Sequence, residues 1–153
     1  MNNKTTYLSK KGMKHLKREI ADLERDRRRI IVELHEQDKI SGHDERLERV
    51  EKLARLDSIE QELIDKKDLL KNAKPYPRKN NSRVSIGSVV ELLSSGGKRF
   101  NYTIVDSIEA DPSDGRISTA SPLGQTLLGK TTSDTIDWTI RSRKKKFQLV
   151  RIS

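Results

Sequence analysis

Asp44 and Glu45 stand side by side in the segment Ser41-Gly42-His43-Asp44-Glu45, between two long stretches of helical periodicity. Carboxylates at a chain reversal can do one of two things. They can offer oxygen ligands to a divalent cation. Or they can settle the start of the following helix, where Asp is a good N-cap and acids in the first turn gain from a few tenths to about 1 kcal/mol against the helix dipole. Adjacent helical residues point about 100° apart, so this pair converges on one ion only if Asp44 belongs to the turn. Glu48 lies one turn beyond Asp44 and shares its face. His43 could ligate a metal or shuttle a proton, or be an exposed turn histidine without a role; His15 and His35 sit among charged neighbours, as on solvated helix faces.

Basic residues follow the acids at every third position: Arg46, Arg49, Lys52 and Arg55. They could contact phosphates, an interaction that salt weakens. The interleaved Glu48 and Glu51 offer the other reading, solvation and helix pairing. Arg27-Arg28-Arg29 could flank the opposite helix in the same way, while Lys144-Lys145-Lys146 reads as an exposed hairpin with nucleic-acid contact as the second choice. Trp138 is assigned to a β core.

The elements that must hold these residues are two amphipathic helices. Ser9 can cap the first, whose apolar positions Met13, Leu16, Ile20, Leu23, Ile30 and Leu34 are three and four apart except where Arg27 fills the place between Leu23 and Ile30. That is a heptad-like seam, and it predicts a coiled-coil partner. Leu47, Val50, Leu53, Leu56, Ile59, Leu63 and Leu70 form a second stripe, with steps of three that drift around the helix. The short separation makes an antiparallel hairpin the simplest connection. From Ser9 to Ile40 is 32 residues, so the rod should be roughly 45–50 Å long at 1.5 Å per residue.

Pro75-Tyr76-Pro77 stops the second helix, and a polar linker continues to residue 83. The period then changes to two, with strands expected at Ser88 to Leu93, Arg99 to Val105, Arg116 to Thr119, Thr135 to Arg141 and Lys146 to Ile152. Ser121-Pro122-Leu123-Gly124-Gln125-Thr126-Leu127-Leu128-Gly129-Lys130 reads as one short helix, with Ser121 at N-cap, Pro122 at N1 and Gly129 closing the end. The expected class is α+β: a coiled-coil hairpin over 1–74 with its acidic tip near 41–45, a linker over 75–83, and a small antiparallel β domain with one short helix over 84–153.

Composition bounds the rest. In 153 residues with 36% charged and 32% hydrophobic side chains, one modest core or a rod plus a small domain can be buried. Cysteine is absent, which excludes disulfides and thiolate metal sites. No apolar run reaches the eighteen or so residues of a membrane span, and Met1 to Thr6 lacks a signal peptide's apolar stretch, so the cytoplasm is the expected compartment. The net charge of +9 divides into 19 basic and 16 acidic residues over Met1–Lys74, and 13 and 7 over the remainder. This balance suits a partner that is anionic in places.

The opening Tyr7-Leu8-Ser9-Lys10-Lys11-Gly12 leading into Leu16, the hairpin ending Leu70-Lys71-Asn72-Ala73, and the Ser121-Pro122 to Leu127-Leu128-Gly129-Lys130 segment together resemble the Gre-type transcript cleavage and elongation factors of bacteria. The likeness spans almost the whole chain. It implies an FKBP-like β domain that docks at the rim of the secondary channel of RNA polymerase, with Ser121, Pro122, Leu123 and Gly124 near the docking surface, while the coiled coil enters the pore. It also implies that tip carboxylates, here Asp44 and Glu45, help the polymerase hold a shared Mg²⁺, so that the polymerase's own active site cuts backtracked RNA. Arg46, Arg49, Lys52 and Arg55 would contact the nascent RNA 3′ end.

The tip departs from the family pattern. Keeping an ungapped register, the family's Glu falls on Glu45 but its Asp, three residues earlier, falls on Gly42. The family's following aromatic is replaced by Arg46-Leu47-Glu48-Arg49. The expected function is therefore a monomeric, polymerase-binding cleavage factor that is not itself an enzyme. One alternative is a Gre-like channel factor that modulates the polymerase without cleavage, and another is a coiled-coil dimer that binds nucleic acid directly. The first alternative gains from the broken acid spacing, and the second leaves the SPLGQTLLGK segment unexplained.

Overall fold

Two helices of nearly equal length, α1 (Lys10–Gln37, 28 residues) and α2 (His43–Asn72, 30 residues), make up the first of two units in a computed structural model that describes residues 5–37 and 43–153. At 1.5 Å per residue α1 is about 42 Å long. Its seam is the expected one: Leu16, Ile20, Ile30 and Leu34 are buried, and Met13, Leu23 and Arg27 are half-buried at the intervening heptad positions. Arg27 is accommodated because its Nε donates to Glu60 Oε1 at 2.9 Å across the pair.

The seam of α2 differs from the stripe expected there. Ile59 and Leu63 are buried and Leu56 half-buried, but Leu47, Val50 and Leu53 are 65%, 61% and 46% exposed. The partly covered positions in that half of the helix are Glu45, Arg49 and Lys52. Geometry explains the correction. Steps of four and three back from Ile59 arrive at Leu56, Lys52, Arg49 and Glu45, whereas repeated steps of three rotate about 60° away from the seam each time. Long aliphatic stems can cover the seam while their charged heads find partners. Lys52 Nζ lies 3.5 Å from Glu33 and 2.9 Å from Glu48, and Arg49 Nη1 donates to the Leu34 carbonyl at 3.3 Å. Lys66–Glu19 and Lys67–Glu24 add pairs between the helices. Exposed pairs of this kind add little to stability, because solvent screens them.

The second unit contains Tyr7–Ser9 and Lys74–Ser153. Its first element is a two-residue parallel pairing of β1 (Tyr7–Leu8) with β2 (Lys74–Pro75), which brings together residues from either side of the hairpin. A five-stranded sheet follows, in the order β5-β4-β3-β7-β6, from β3 (Val89–Ser94), β4 (Arg99–Val105), β5 (Arg116–Ser118), β6 (Thr135–Ile140) and β7 (Arg143–Ile152). The pairings are antiparallel except β4 with β5, which is parallel. Two 3₁₀ turns, Ser107–Glu109 and Pro112–Asp114, carry the chain between these two strands.

Alternation along the strands puts Val90, Leu92, Ile104, Ile136 and Leu149 in one core, each no more than 1% exposed. Helix α3 (Pro122–Leu127) adds Leu123 and Leu127 to the core. Full burial of such a side chain contributes about 1.5–3 kcal/mol. The β6–β7 connection is a two-residue turn in which Arg141 and Ser142 have φ of 46° and 65°. A left-handed backbone costs a non-glycine residue about 1–2 kcal/mol, and neither the Asn nor the Gly that relieves this strain is present.

Candidate functional site at the start of the second helix and on the sheet unit

Helix α2 begins at His43, so Asp44 and Glu45 both lie in its first turn, where the positive end of the dipole favours them. Residues 38–42, including Ser41 and Gly42 of the expected tip, lie outside the described residues. Asp44 is exposed and Glu45 is partly covered. With both residues helical, their side chains leave the axis about 100° apart, Glu45 on the seam flank and Asp44 outward. The carboxylate that shares the flank of Asp44 is Glu48. Its carboxyl is held below the usual range by the hydrogen bond from Lys52 and the charge behind it, and the Lys52 ammonium is correspondingly raised.

The four basic residues after the acids do not line one face. Arg49 and Lys52 take part in helix pairing, as described, whereas Arg46 and Arg55 are exposed and form no ion pair among the described residues. Two cations are therefore presented to solvent. Leu47, Val50 and Leu53 lie on the outward side of the same helix, an apolar stripe that the period of three had wrongly assigned to the seam.

The Ser121 to Gly124 segment is built mainly from the inside. Ser121 Oγ accepts from Gly124 N at 3.0 Å, capping α3, and donates to the Ser118 carbonyl at 2.7 Å. Leu123 is 4% exposed, and a Cβ on Gly124 would come within 1.9 Å of the Ser118 carbonyl oxygen. Only glycine fits there. The surface of the segment is formed by Pro122, Gln125 and Leu128, all exposed. Gln125 and Leu128 were missed by sequence reasoning, although the three-residue spacing from Pro122 was a signal for a shared face.

A polar cluster in the sheet unit also had no signature. The Glu109 carboxylate receives three hydrogen bonds, from Tyr76 Oη at 2.5 Å, Ser9 Oγ at 2.6 Å and Ser9 N at 2.9 Å. Tyr7 N donates to Asp106 Oδ2 at 3.0 Å beside it. Burial and the bond to Glu109 push the Tyr76 phenol well above its usual range, so it stays a donor. These bonds tie β1 and the residues after β2 to the 3₁₀ turn. They join parts of the chain 33 to 100 residues apart, which is why no local pattern announced them.

The model of the family "Transcription elongation factor, GreA/GreB, C-term" matches residues 79–153. Transcription elongation factor GreA of Acetivibrio thermocellus is 32% identical over 154 residues, covering 98% of this chain and 97% of that protein. GreA of Helicobacter pylori strain Shi470 is 35% identical over 98 residues, covering 61% of this chain, and the matched part spans 59% of that protein's length. Among solved structures, the GreA factor homolog 1 (Gfh1) of Thermus thermophilus is 24% identical with a TM-score of 0.44, covering 98% of this chain and 99% of that one.

Proposed function

The chain belongs to the GreA/GreB family of transcription elongation factors, and from that premise we propose that it binds RNA polymerase through its secondary channel and stimulates cleavage of backtracked RNA by the polymerase active site. The observation that carries this reading is the exposed carboxylate of Asp44 in the first turn of α2, next to the hairpin connection. Magnesium ions are commonly held by one or two protein carboxylates together with phosphates and water, so a single delivered acid can contribute.

In this reading Asp44 is the carboxylate offered to the polymerase's Mg²⁺, which would supply Lewis acidity to water attack on the phosphodiester. Glu48 supports it from the same flank, and Glu45, partly covered, stabilises the helix start and adds negative charge. In this reading the remaining ligands of the ion come from polymerase and RNA. Arg46 and Arg55 are the cations available to the phosphates of the RNA 3′ end. Pro122 meets the polymerase directly, with Ser121, Leu123 and Gly124 shaping that surface from beneath. The factor acts as a monomer and is not an enzyme by itself.

A second reading rests on the divergence of Asp44 and Glu45. If two carboxylates must converge for cleavage, the same docking would obstruct or tune the active site without cutting. A stalled, backtracked elongation complex given the protein and Mg²⁺ distinguishes the two. Shortened transcripts are expected; slowed synthesis without shortening would favour modulation.

A further inference from the structure

Several cations outside the β6–β7 hairpin are paired on both units: in the sheet unit Arg99 lies beside Glu91, and Arg116 beside Asp111 and Asp114. In the helical pair Arg25, Arg27, Arg29, Lys52, Lys66 and Lys67 all lie within ion-pairing distance of a carboxylate. Around the β6–β7 turn, Arg141, Arg143, Lys144, Lys145 and Lys146 are all exposed, and none forms an ion pair among the described residues. The one acid in register with them, Asp137 opposite Lys146, is not within pairing distance either. Five positive charges in six residues repel one another, and the fold does nothing to offset this. It also bears the strained left-handed backbone at Arg141, which keeps a cation at the turn itself.

Beside the lysines runs an open groove. It is lined by Lys144, Lys145, Lys146 and Phe147 of β7 and by Ser94, Ser95 and Gly96 of the β3–β4 turn, with Lys144 and Lys146 on one face of the strand and Lys145 on the other. Ser94 and Ser95 bring hydroxyls, and the backbone N–H groups of Ser95 and Gly96 have no hydrogen-bond partner among the described residues. Ammonium, hydroxyl and free backbone N–H are the donors that hold phosphate oxygens. A compact acidic side chain would use one or two of them. A row of cations along an extended strand, with hydroxyls alongside, suits an anion that also repeats along a line.

We propose that the β6–β7 hairpin and the adjoining β3–β4 turn form a binding surface for the phosphate backbone of a nucleic acid, recognised without regard to sequence. The surface goes beyond the polymerase-directed function, and it works in the chain alone.

The test is fluorescence anisotropy of a labelled DNA duplex, and separately a labelled single-stranded RNA, with the full chain from 50 to 200 mM salt. The comparison variant is Lys144→Gln/Lys145→Gln/Lys146→Gln, which keeps the aliphatic stems, and Lys144→Arg/Lys145→Arg/Lys146→Arg restores the charge. If three phosphate contacts are lost at about −0.9 in log–log slope each, the part of the salt effect that disappears is about 40-fold over this range. The Gln variant should lose affinity at least tenfold at 50 mM salt with a flatter slope, a melting temperature no lower than that of the parent chain, and recovery of affinity in the Arg variant. An unchanged affinity and slope in the Gln variant would overturn the proposal. So would loss of binding in Arg46→Gln/Arg55→Gln but not in the hairpin variant, or polyglutamate competing as well as nucleic acid. Because polymerase is absent, failure here leaves the cleavage assay unaffected.

Discussion

Glu48 sits one helical turn beyond Asp44 on the same flank of α2, with its carboxylate 2.9 Å from Lys52 Nζ, while Glu45, adjacent in sequence to Asp44, turns toward the helix seam. The acid next in sequence is thus not the acid next in space. Asp44→Ala should therefore reduce cleavage of a backtracked transcript more than Glu45→Ala does, by about tenfold or more. The double substitution should abolish stimulation while polymerase binding persists. Gel analysis of transcript lengths beside a binding titration reads both, and full cleavage by the double variant would remove the assigned role.

Acid should loosen the hairpin. The carboxyls of Glu24 and Glu48 are held below their ordinary value of 4.5, in each case first by a lysine hydrogen bond, from Lys67 and Lys52. A lowered folded pKa means that the stabilisation is present above 4.5 and is lost as pH falls from there through the lowered value. Helical circular dichroism melts between pH 7 and pH 3 should show this decline. Lys67→Met and Lys52→Met should flatten it, and an equally steep decline in both would count against these pairs.

The seam assignment separates two leucines on one helix. Leu63 is 6% exposed and Leu53 is 46% exposed. Leu63→Ala should cost about 2–5 kcal/mol, whereas Leu53→Gln should stay within about 0.5 kcal/mol. Urea denaturation measures both, and equal costs would return Leu53 to the interface.

Gly124→Ala forces a methyl group against the Ser118 carbonyl. Overpacking of this kind costs about 1–3 kcal/mol, so the sheet unit should melt earlier. Pro122→Ala, at an exposed position, should change melting far less. If weakened polymerase binding follows Pro122→Ala and not merely Gly124→Ala, the surface role and the packing role are separated.

Much of this architecture is legible in the residues. The heptad of α1 reads correctly even through Arg27, because a single charged seam position leaves the surrounding spacing intact. Strand alternation and the Ser121 cap read well for the same reason: both are local. The seam of α2 does not, since Glu45, Arg49 and Lys52 occupy it with charged heads while true leucines face outward. Nor does the direction of β5, which depends on a crossover built from 3₁₀ turns, or the β1–β2 pair, too short to carry a period. At the candidate site, the presence of acids was legible but their divergence depended on where α2 begins. Gly124 looked like a surface residue because the carbonyl that excludes any side chain there belongs to Ser118, at the end of strand β5.

The β1–β2 pair has a consequence for anyone who would cut this chain. The stretch Lys10–Ala73 is topologically an insertion into a discontinuous domain, whose first strand precedes it and whose remainder follows. A fragment starting at Lys74 would leave one margin unpaired and strip Glu109 of its serine donors. Joining Ser9 to Lys74 through a crossover linker of about a dozen residues or more, as a parallel pair requires, would retain both, and a foreign rod could be exchanged at the same two seams.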